Sequence, residues 1–574
     1  MMMEEIGMNH LRILLQSSLF EETRNYQGPC YKMHDLVHNL AESMSKSTKI
    51  INDRDTRVAD HSNQIRYLAI DSSGGREDRE KLLESLSTSL HTLFFMEGDL
   101  SGDMLMKLKN LYVLNLSYAT TEELPVSIGK LIHLRYVSLK RSAISVLPDS
   151  LCKLYNLQTL TLSYSKVKDL PKGMCNLISL RHLHYYRGDE NFQMPLEMGR
   201  LTCLQTLEFF NGGREKGRRI GELGCLKKLK GSLTIRNLQL VQDRKAAEEA
   251  KLSEQTSLFR LHLVWAHDRE GDNYNDKDVL DGLRPHPNLE ELVICAFMGD
   301  QFPRWLMDLS TTTTLPESAT TLPKLTSLEF HYCHRCRELL PLQNFTSLKV
   351  LVIENCDGLT HLPGDMLHSC ASLQKLRVFG CRNLISFPLD LQQTPSLLKL
   401  ELYRCPKLKT SMTPKGFGFL TSLRELVIGP FSDDDDDHEN SSIYNELDWS
   451  GLISSSSSSS SSAFRRLELY GLPHMESLPD QIQHLATLTS LRLEDFGGVK
   501  ALPDWFGNFG ALEELWLFRF EELGHLPSED VMRSLTKLKH LRVWGSPLLK
   551  ERCTPESSAP TPSGPKFLTF NAYA

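Results

Sequence analysis

Short apolar pairs flanking a single intervening residue recur along almost the whole chain. From residue 108, three successive 23-residue segments read LKNLYVLNLSYATTEELPVSIGK, LIHLRYVSLKRSAISVLPDSLCK and LYNLQTLTLSYSKVKDLPKGMCN. Each carries L-x-x-L-x-x-L-x-L, a turn, and a later Leu-Pro. In the final L-x-L, alternation sends both leucines to one face of a short strand and the middle residue to the other. Registered on those two inward positions, the pattern runs from 68/70 through 207/209 to 541/543, nineteen repeats about 26 residues apart. No single repeat can bury its own leucine row, whereas stacked neighbours can. Ninety-nine leucines in 574 residues therefore argue for one long array, not several compact cores.

Spacing and pattern are those of a leucine-rich repeat. The expected fold class is an α/β leucine-rich-repeat solenoid, curved, with a parallel sheet on its concave face, preceded by a partial winged-helix remnant. Leu-Pro, with an apolar residue after it as in Leu124, Pro125 and Ile128, closes the return segment, because proline ends strand pairing and fixes φ. Cys333, Cys356, Cys381 and Cys405 each lie three residues beyond the last inward position, where such repeats use Asn or Cys to satisfy turn backbone groups. Earlier repeats hold Ala119, Ser142, Ser165 and Gly188 there, all small. The C-x-x-C of Cys333 and Cys336 has no second half, so a structural role is expected and no metal.

The first 50 residues break the pattern. LRILLQSSLFEE and HDLVHNLAESMS read as helices, the second with Leu36, Val37, Leu40, Ala41 and Met44 on one face. TRNYQGPCYKM between them reads as a hairpin turning at Gly-Pro. This leaves three parts: 1–50, the repeat domain 51–552, and a disordered tail 553–574. An acidic and serine-rich insertion at about 432–462 is too polar to bury and is expected to be disordered. Between 211 and 230 a basic segment carries Arg214, Lys216, Arg218, Arg219, Lys227, Lys228 and Lys230. DRKAAEEAKL after it suits a solvent-facing helix.

The net charge is −7, and Asp433–Asp437 with Glu439 supply six of those charges. The near-neutral remainder offers no footprint for nucleic acid. No apolar run is long enough for a membrane span, and the start lacks the pattern of a signal peptide. A cytoplasmic chain is expected, reaching nucleus or membrane only through partners. No H-E-x-x-H, G-x-S-x-G or assembled Ser-His-Asp set occurs, so the expectation is not an enzyme, with no catalytic residues.

YKMHDLVHNLAESMS followed by a leucine-rich array resembles the plant intracellular nucleotide-binding leucine-rich-repeat disease resistance proteins, most closely the coiled-coil class. GSLTIRNLQLV (231–241), EEAKL (248–252), LDGLRPHPNLEEL (280–292) and FPRWL (302–306) carry the same resemblance. It implies that Met33, His34 and Asp35 form the family's Met-His-Asp motif, which closes the winged-helix subdomain, with His34 sensing the ADP phosphate. The family's G-x-x-x-x-G-K-[ST] loop is absent, so the expected piece is the C-terminal portion of a receptor with no cofactor of its own, ADP or ATP belonging to full-length members. The implied role is immune: an array that recognises a pathogen effector or a guarded host protein and holds the nucleotide-binding region inactive. The basic segment would face that region. Alternatives are a generic scaffold or ubiquitin-ligase adaptor, or a non-functional remnant.

Partner contacts are expected late on the concave face. The positions between and just after the inward leucines are small and polar early, at Asn115, Ser138 and Thr161, but late they become Tyr403, Tyr470, Trp516, Phe518 and Trp544. Arg492, Arg519 and Arg542 lie among them. Aromatics and arginines are the residue types that dominate interface energetics.

Overall fold

The computed structural model describes all residues except 1–2, 26–27, 46–47, 52–64, 71–75, 96–100, 186–191, 268, 270–274, 308–321, 341, 343–344, 363–366, 368–369, 388–390, 392–393, 409–416, 431–443, 445–446, 454–463 and 553–574. Gly188 and the C-terminal tail lie outside the described residues. The chain forms two units, 1–207 and 208–574.

The first unit opens with a helix, Met3–Gln16, an antiparallel ribbon of Phe20–Asn25 and Gly28–Met33, and a second helix, Asp35–Met44. Gly28 and Pro29 do not make the turn. They sit in the second strand opposite Asn25 and Arg24, a place open to proline because both strands of a two-stranded ribbon are edges. Leu36, Leu40 and Met44 share a helix face as expected, yet that face is 62–75% exposed at these three residues.

An eight-stranded parallel sheet follows, from Thr48–Ile51 to Thr206–Leu207. Thr48 pairs with Tyr67 and Ile51 with Ile70, so the array begins three residues before the expected boundary at 51. The second unit holds a thirteen-stranded parallel sheet from Phe209–Asn211 to His540–Trp544. Every registered repeat carries a strand. One phase is corrected: Leu207 pairs with Leu183, but Phe210, not Phe209, pairs with the inward Ile235. One additional residue shifts the alternation, and Phe210 takes the fully buried place.

Parallel in-register stacking buries the inward rows; Leu351, Ile353, Leu376 and Leu400 are each at 0% exposure, and only in the last repeat does exposure rise, at Leu541 and Val543, to 7% and 9%. Each such side chain contributes about 2 kcal/mol of burial. A residue in the left-handed region follows the strands, directly after them at Tyr332, Asn355, Arg404, Asp495 and Arg519 and three residues on at Tyr118 and Arg141. Their N–H groups extend the ladder by donating to the next repeat, as Asn355 N does to Phe379 O at 2.8 Å. One residue on, the expected cysteine positions are buried, and their thiols donate back into the turn: Cys333 Sγ to His331 O at 3.5 Å, Cys356 Sγ to Glu354 O at 3.4 Å, Cys405 Sγ to Tyr403 O at 3.6 Å. Later repeats put Phe496 and Phe520 there, stacked at 5.8 Å.

On the return side, short 3-10 turns start directly after Pro125, Pro148, Pro171, Pro479 and Pro503. Proline presets φ at that entry and its missing N–H costs nothing there. Arg244–Glu248 forms the helix expected in DRKAAEEAKL, capped by Asp243 accepting from Ala246 N at 2.8 Å.

The insertion is corrected in part. Residues 432–443 and 454–462 lie outside the described residues, but Tyr444, Leu447, Trp449 and Leu452 between them are buried. Trp449 meets Phe417 edge to face at 5.7 Å and its Nε1 donates to Tyr444 O at 2.9 Å. Four apolar residues interleaved with the polar runs are enough to anchor this stretch. Among the described residues, no helix is long and apolar enough to cross a membrane.

Candidate functional site

In the late strands, the second and fourth residues point inward and the first, third and fifth form the open face. Parallel register aligns the third positions as Arg377, Glu401, Val427, Glu468, Arg492, Trp516 and Arg542. The fifth positions follow as Phe379, Tyr403, Gly429, Tyr470, Glu494, Phe518 and Trp544. The face is thus a grid of alternating charge with an aromatic column along one side.

Charge is neutralised both within strands and across repeats. Lys399 Nζ lies 3.2 Å from Glu401 and 2.9 Å from Glu425, and Arg466 lies 2.5 Å from Glu468. Glu494, only 4% exposed, takes Arg492 at 2.7 Å and Arg519 at 2.6 Å. Arg519 also pairs with Asp495, and the hydrogen bond to that carboxylate raises the guanidinium pKa further. Phe379 meets Tyr403 at a tilt with centroids 4.6 Å apart, Tyr403 stacks on Tyr470 at 5.3 Å, and Arg377 lies 5.3 Å from the Phe379 ring. Burial pushes the Tyr470 hydroxyl up to about 12.

All the expected partner residues but one lie on this grid; Arg519 sits at the left-handed turn just after it. They are not equally presented. Tyr470 is a correction: at 6% exposure it is packed beneath its neighbours. Tyr403, Arg492, Trp516 and Phe518 are half-buried, whereas Arg519, Arg542 and Trp544 are exposed. Phe379 and Arg377 were missed; carrying the same fifth- and third-position rule one repeat earlier finds both.

The basic segment is partly neutralised by Glu215 inside it and Glu254 beyond it. Arg218 pairs with Glu215 at 2.6 Å, Lys227 with Glu254 at 3.7 Å, and Arg219 Nε donates to Arg214 O at 3.3 Å. Arg214, Lys216, Lys228 and Lys230 are exposed. In the N-terminal part, Met33 ends its strand, and His34 Nδ1 accepts from Leu36 N at 3.3 Å, an N-cap contact at the start of Asp35–Met44. His34 and Asp35 are exposed. Cys333 and Cys336 are buried, and Cys336 Sγ donates to Glu338 O at 3.0 Å. Among the described residues, no three His, Cys, Asp or Glu are grouped to hold a metal ion.

The family described as R13L1/DRL21 LRRs matches residues 220–356. The disease resistance protein RGA4 of Solanum bulbocastanum is 33% identical over 510 residues, covering 88% of this chain and 43% of its own. RGA1 of the same species is 36% identical over 412 residues, covering 70% and 38%. The disease resistance RPP13-like protein 1 of Arabidopsis thaliana is 31% identical over 546 residues, covering 87% and 50%. The chain spans half or less of the length of these relatives. Among solved structures, the functional domain of InlJ from Listeria monocytogenes aligns with a TM-score of 0.43 at 16% identity, covering 69% of this chain and 72% of that one. By the repeat match within its array and the resistance-protein relatives along most of its length, the chain belongs to the plant nucleotide-binding leucine-rich-repeat disease resistance family.

Proposed function

We propose that this chain is the sensing and autoinhibitory portion of a plant immune receptor, recognising a pathogen effector or a guarded host protein by direct protein contact. Its relatives carry disease resistance in their names, which supports the defence role. The chain acts by binding, with no catalysis and no cofactor of its own; Met33, His34 and Asp35 border a nucleotide pocket whose other walls belong to the upstream region. Its compartment is the cytoplasm.

The observation that carries this reading is the exposed end of the grid. Trp544 is 44% exposed on a regular strand, with Arg542 exposed on the same face. A rigid exposed aromatic beside arginine is a composition suited to anchoring a partner. The experiment joins the chain to the upstream region of a relative, expresses it in leaf tissue and scores the response to pathogen challenge. Trp544→Ala is expected to abolish the response while leaving the melting temperature unchanged; a retained response overturns the assignment of this face.

A further inference from the structure

The open face of the first unit carries one sign of charge. Six of its parallel strands run from Tyr67–Ile70 to His182–His184. From the residue before each of them to the third residue after it, none of the described residues is Asp or Glu, whereas Arg66, Arg135, Lys140, Arg141 and Arg181 all fall there. The same positions outside the described residues add Asp71, Glu97 and Arg187, so basic residues keep the majority. Lys140 and Arg181 have interactions of their own. Arg66, Arg135 and Arg141 are exposed, with no carboxylate at ion-pair distance among the described residues. The late grid differs, since Lys399, Arg466 and Arg492 each meet a glutamate there.

Two of these guanidiniums are held in place with most of their donors unused. Arg135 enters the strand Tyr136–Ser138 and lies over Tyr112 of the preceding repeat, its Cζ 5.3 Å from the ring centroid. Arg141 leaves the same strand and sits between Tyr118 and Tyr164, at 6.0 and 5.5 Å. Its Nη1 donates to Tyr118 Oη at 3.3 Å, one N–H of the five that a guanidinium carries. Stacking on a ring engages the flat face of the group and leaves its in-plane fork for a planar acceptor. Between the two arginines, Ser117 Oγ donates to Asn115 Oδ1 at 2.6 Å and lies 3.1 Å from Ser138 Oγ. That floor is neutral and bonded to itself, so recognition of charge falls to the arginines.

We propose that the face between Arg135 and Arg141 takes an extended acidic segment of a partner protein, one carboxylate on each guanidinium, with Arg66 continuing the site towards the start of the array. This surface is separate from the one read from Trp544 and belongs to the other unit. Six residues separate the two arginines, at most about 20 Å, which a short extended segment spans. The two oxygens of a carboxylate match the guanidinium fork. Tyr118 and Tyr164, 46% and 55% exposed, offer rigid aromatic contact beside it. Nucleic acid is disfavoured, because basic and acidic residues balance over 1–207 and the unit lacks the broad positive field that a polyanion needs.

The test titrates a capped, labelled glutamate-rich decapeptide, about 33 Å when extended, and its glutamine counterpart into the full chain by fluorescence anisotropy. The glutamate peptide is expected to bind, more weakly as salt rises, and the glutamine peptide to stay free. Arg135→Gln combined with Arg141→Gln should weaken the glutamate peptide about tenfold at an unchanged melting temperature, and each single change should give part of that loss. Arg542→Gln and Lys228→Gln, exposed basic residues of the second unit, should leave it unchanged. No preference for glutamate, or an equal loss in these controls, overturns the proposal. An oligouridine probe that the double change weakens more than it weakens the glutamate peptide assigns the face to nucleic acid and overturns it as well. If replacing Asp433–Asp437 with asparagine tightens the glutamate peptide, the chain's own acidic run competes for the face, and the assignment to a partner falls.

Discussion

Tyr403 and Tyr470 stack with ring centroids 5.3 Å apart and planes 18° from parallel, although the strand Glu425–Gly429 runs between theirs. Strands two steps apart are separated by about 9.6 Å, so rings standing upright would not touch. They meet because Gly429, opposite Tyr403 in register, adds no side chain between them. Tyr444 closes the place from the side by donating its hydroxyl to the Tyr470 carbonyl. The aromatic column therefore stays continuous across a repeat that contributes no ring.

Gly429→Ala should break this arrangement. Its φ is +96°, and a Cβ would come within 1.9 Å of Tyr444 Oη and 2.5 Å of Tyr470 O. Backbone strain and displacement together are expected to cost about 2 to 4 kcal/mol, read as a lower urea midpoint. Gly510→Ala is the control: nothing lies within 4 Å of its added Cβ, and its stability should change by no more than about 0.5 kcal/mol.

The repeat strands were legible because their signal is local and repeated. Leu400 and Leu402 announce their strand regardless of what surrounds them. The stack over Gly429 was not legible, because it needs the register of three strands and the 41-residue gap between the repeats at 426 and 467. Tyr470 misled for a related reason: alternation gives the face a residue lies on, while its burial depends on the neighbours that lean over it. The phase slip before Phe210 was invisible because Leu207, Phe209 and Phe210 are all apolar, so the pattern permits either register. Phe379 was legible and overlooked.

A second prediction concerns the pair Arg269 and Asp276. Their side chains are 10% and 4% exposed, joined by two hydrogen bonds of 2.9 and 2.6 Å. Asp276 also accepts from Met298 N at 2.9 Å, and Arg269 donates to Ala296 O at 2.8 Å. Asp276→Ala strands a buried guanidinium and a backbone N–H together, an expected loss of about 3 to 5 kcal/mol. Replacing both residues with leucine should lose less than the single change, because no uncompensated charge then remains. Chemical denaturation of the two variants decides it; a double variant weaker than the single one would contradict the account.

A third prediction concerns nucleotide. His34 Nδ1 is occupied by Leu36 N, and both His34 and Asp35 face solvent. A phosphate needs several converging donors to be held. Calorimetry with ADP or ATP on this chain is expected to give no heat of binding, and micromolar affinity would show a pocket built without the upstream region.

Three buried thiols, Cys336, Cys356 and Cys370, make stability fall in alkali. Cys336, Cys356, Cys370, Cys381 and Cys405 are all within 1% of full burial, whereas Cys225 is exposed. Burial pushes Cys336 from 9.0 up to about 12, and Cys370 from 9.0 to about 11. Burial drives Cys356 in the same direction, well above 9.0. A raised thiol pKa means that the folded protein keeps a proton which the unfolded chain releases. The unfolded state then binds fewer protons, so unfolding becomes easier as pH rises. The stabilising effect is complete below pH 9.0 and, for Cys336, is lost between 9.0 and about 12. The slope approaches about 1.4 kcal/mol per pH unit for each such thiol. Urea melts at stepped pH should show this decline, and Cys336→Ala should reduce its slope by one thiol's share, with Cys356 and Cys370 still contributing, whatever its own cost in stability. In the folded protein at neutral pH, a thiol reagent is expected to label Cys225 quickly and the buried cysteines only as the chain unfolds. Fast labelling of Cys356 at full native signal would mean that its turn opens locally, and the alkaline slope assigned to burial would then have another source.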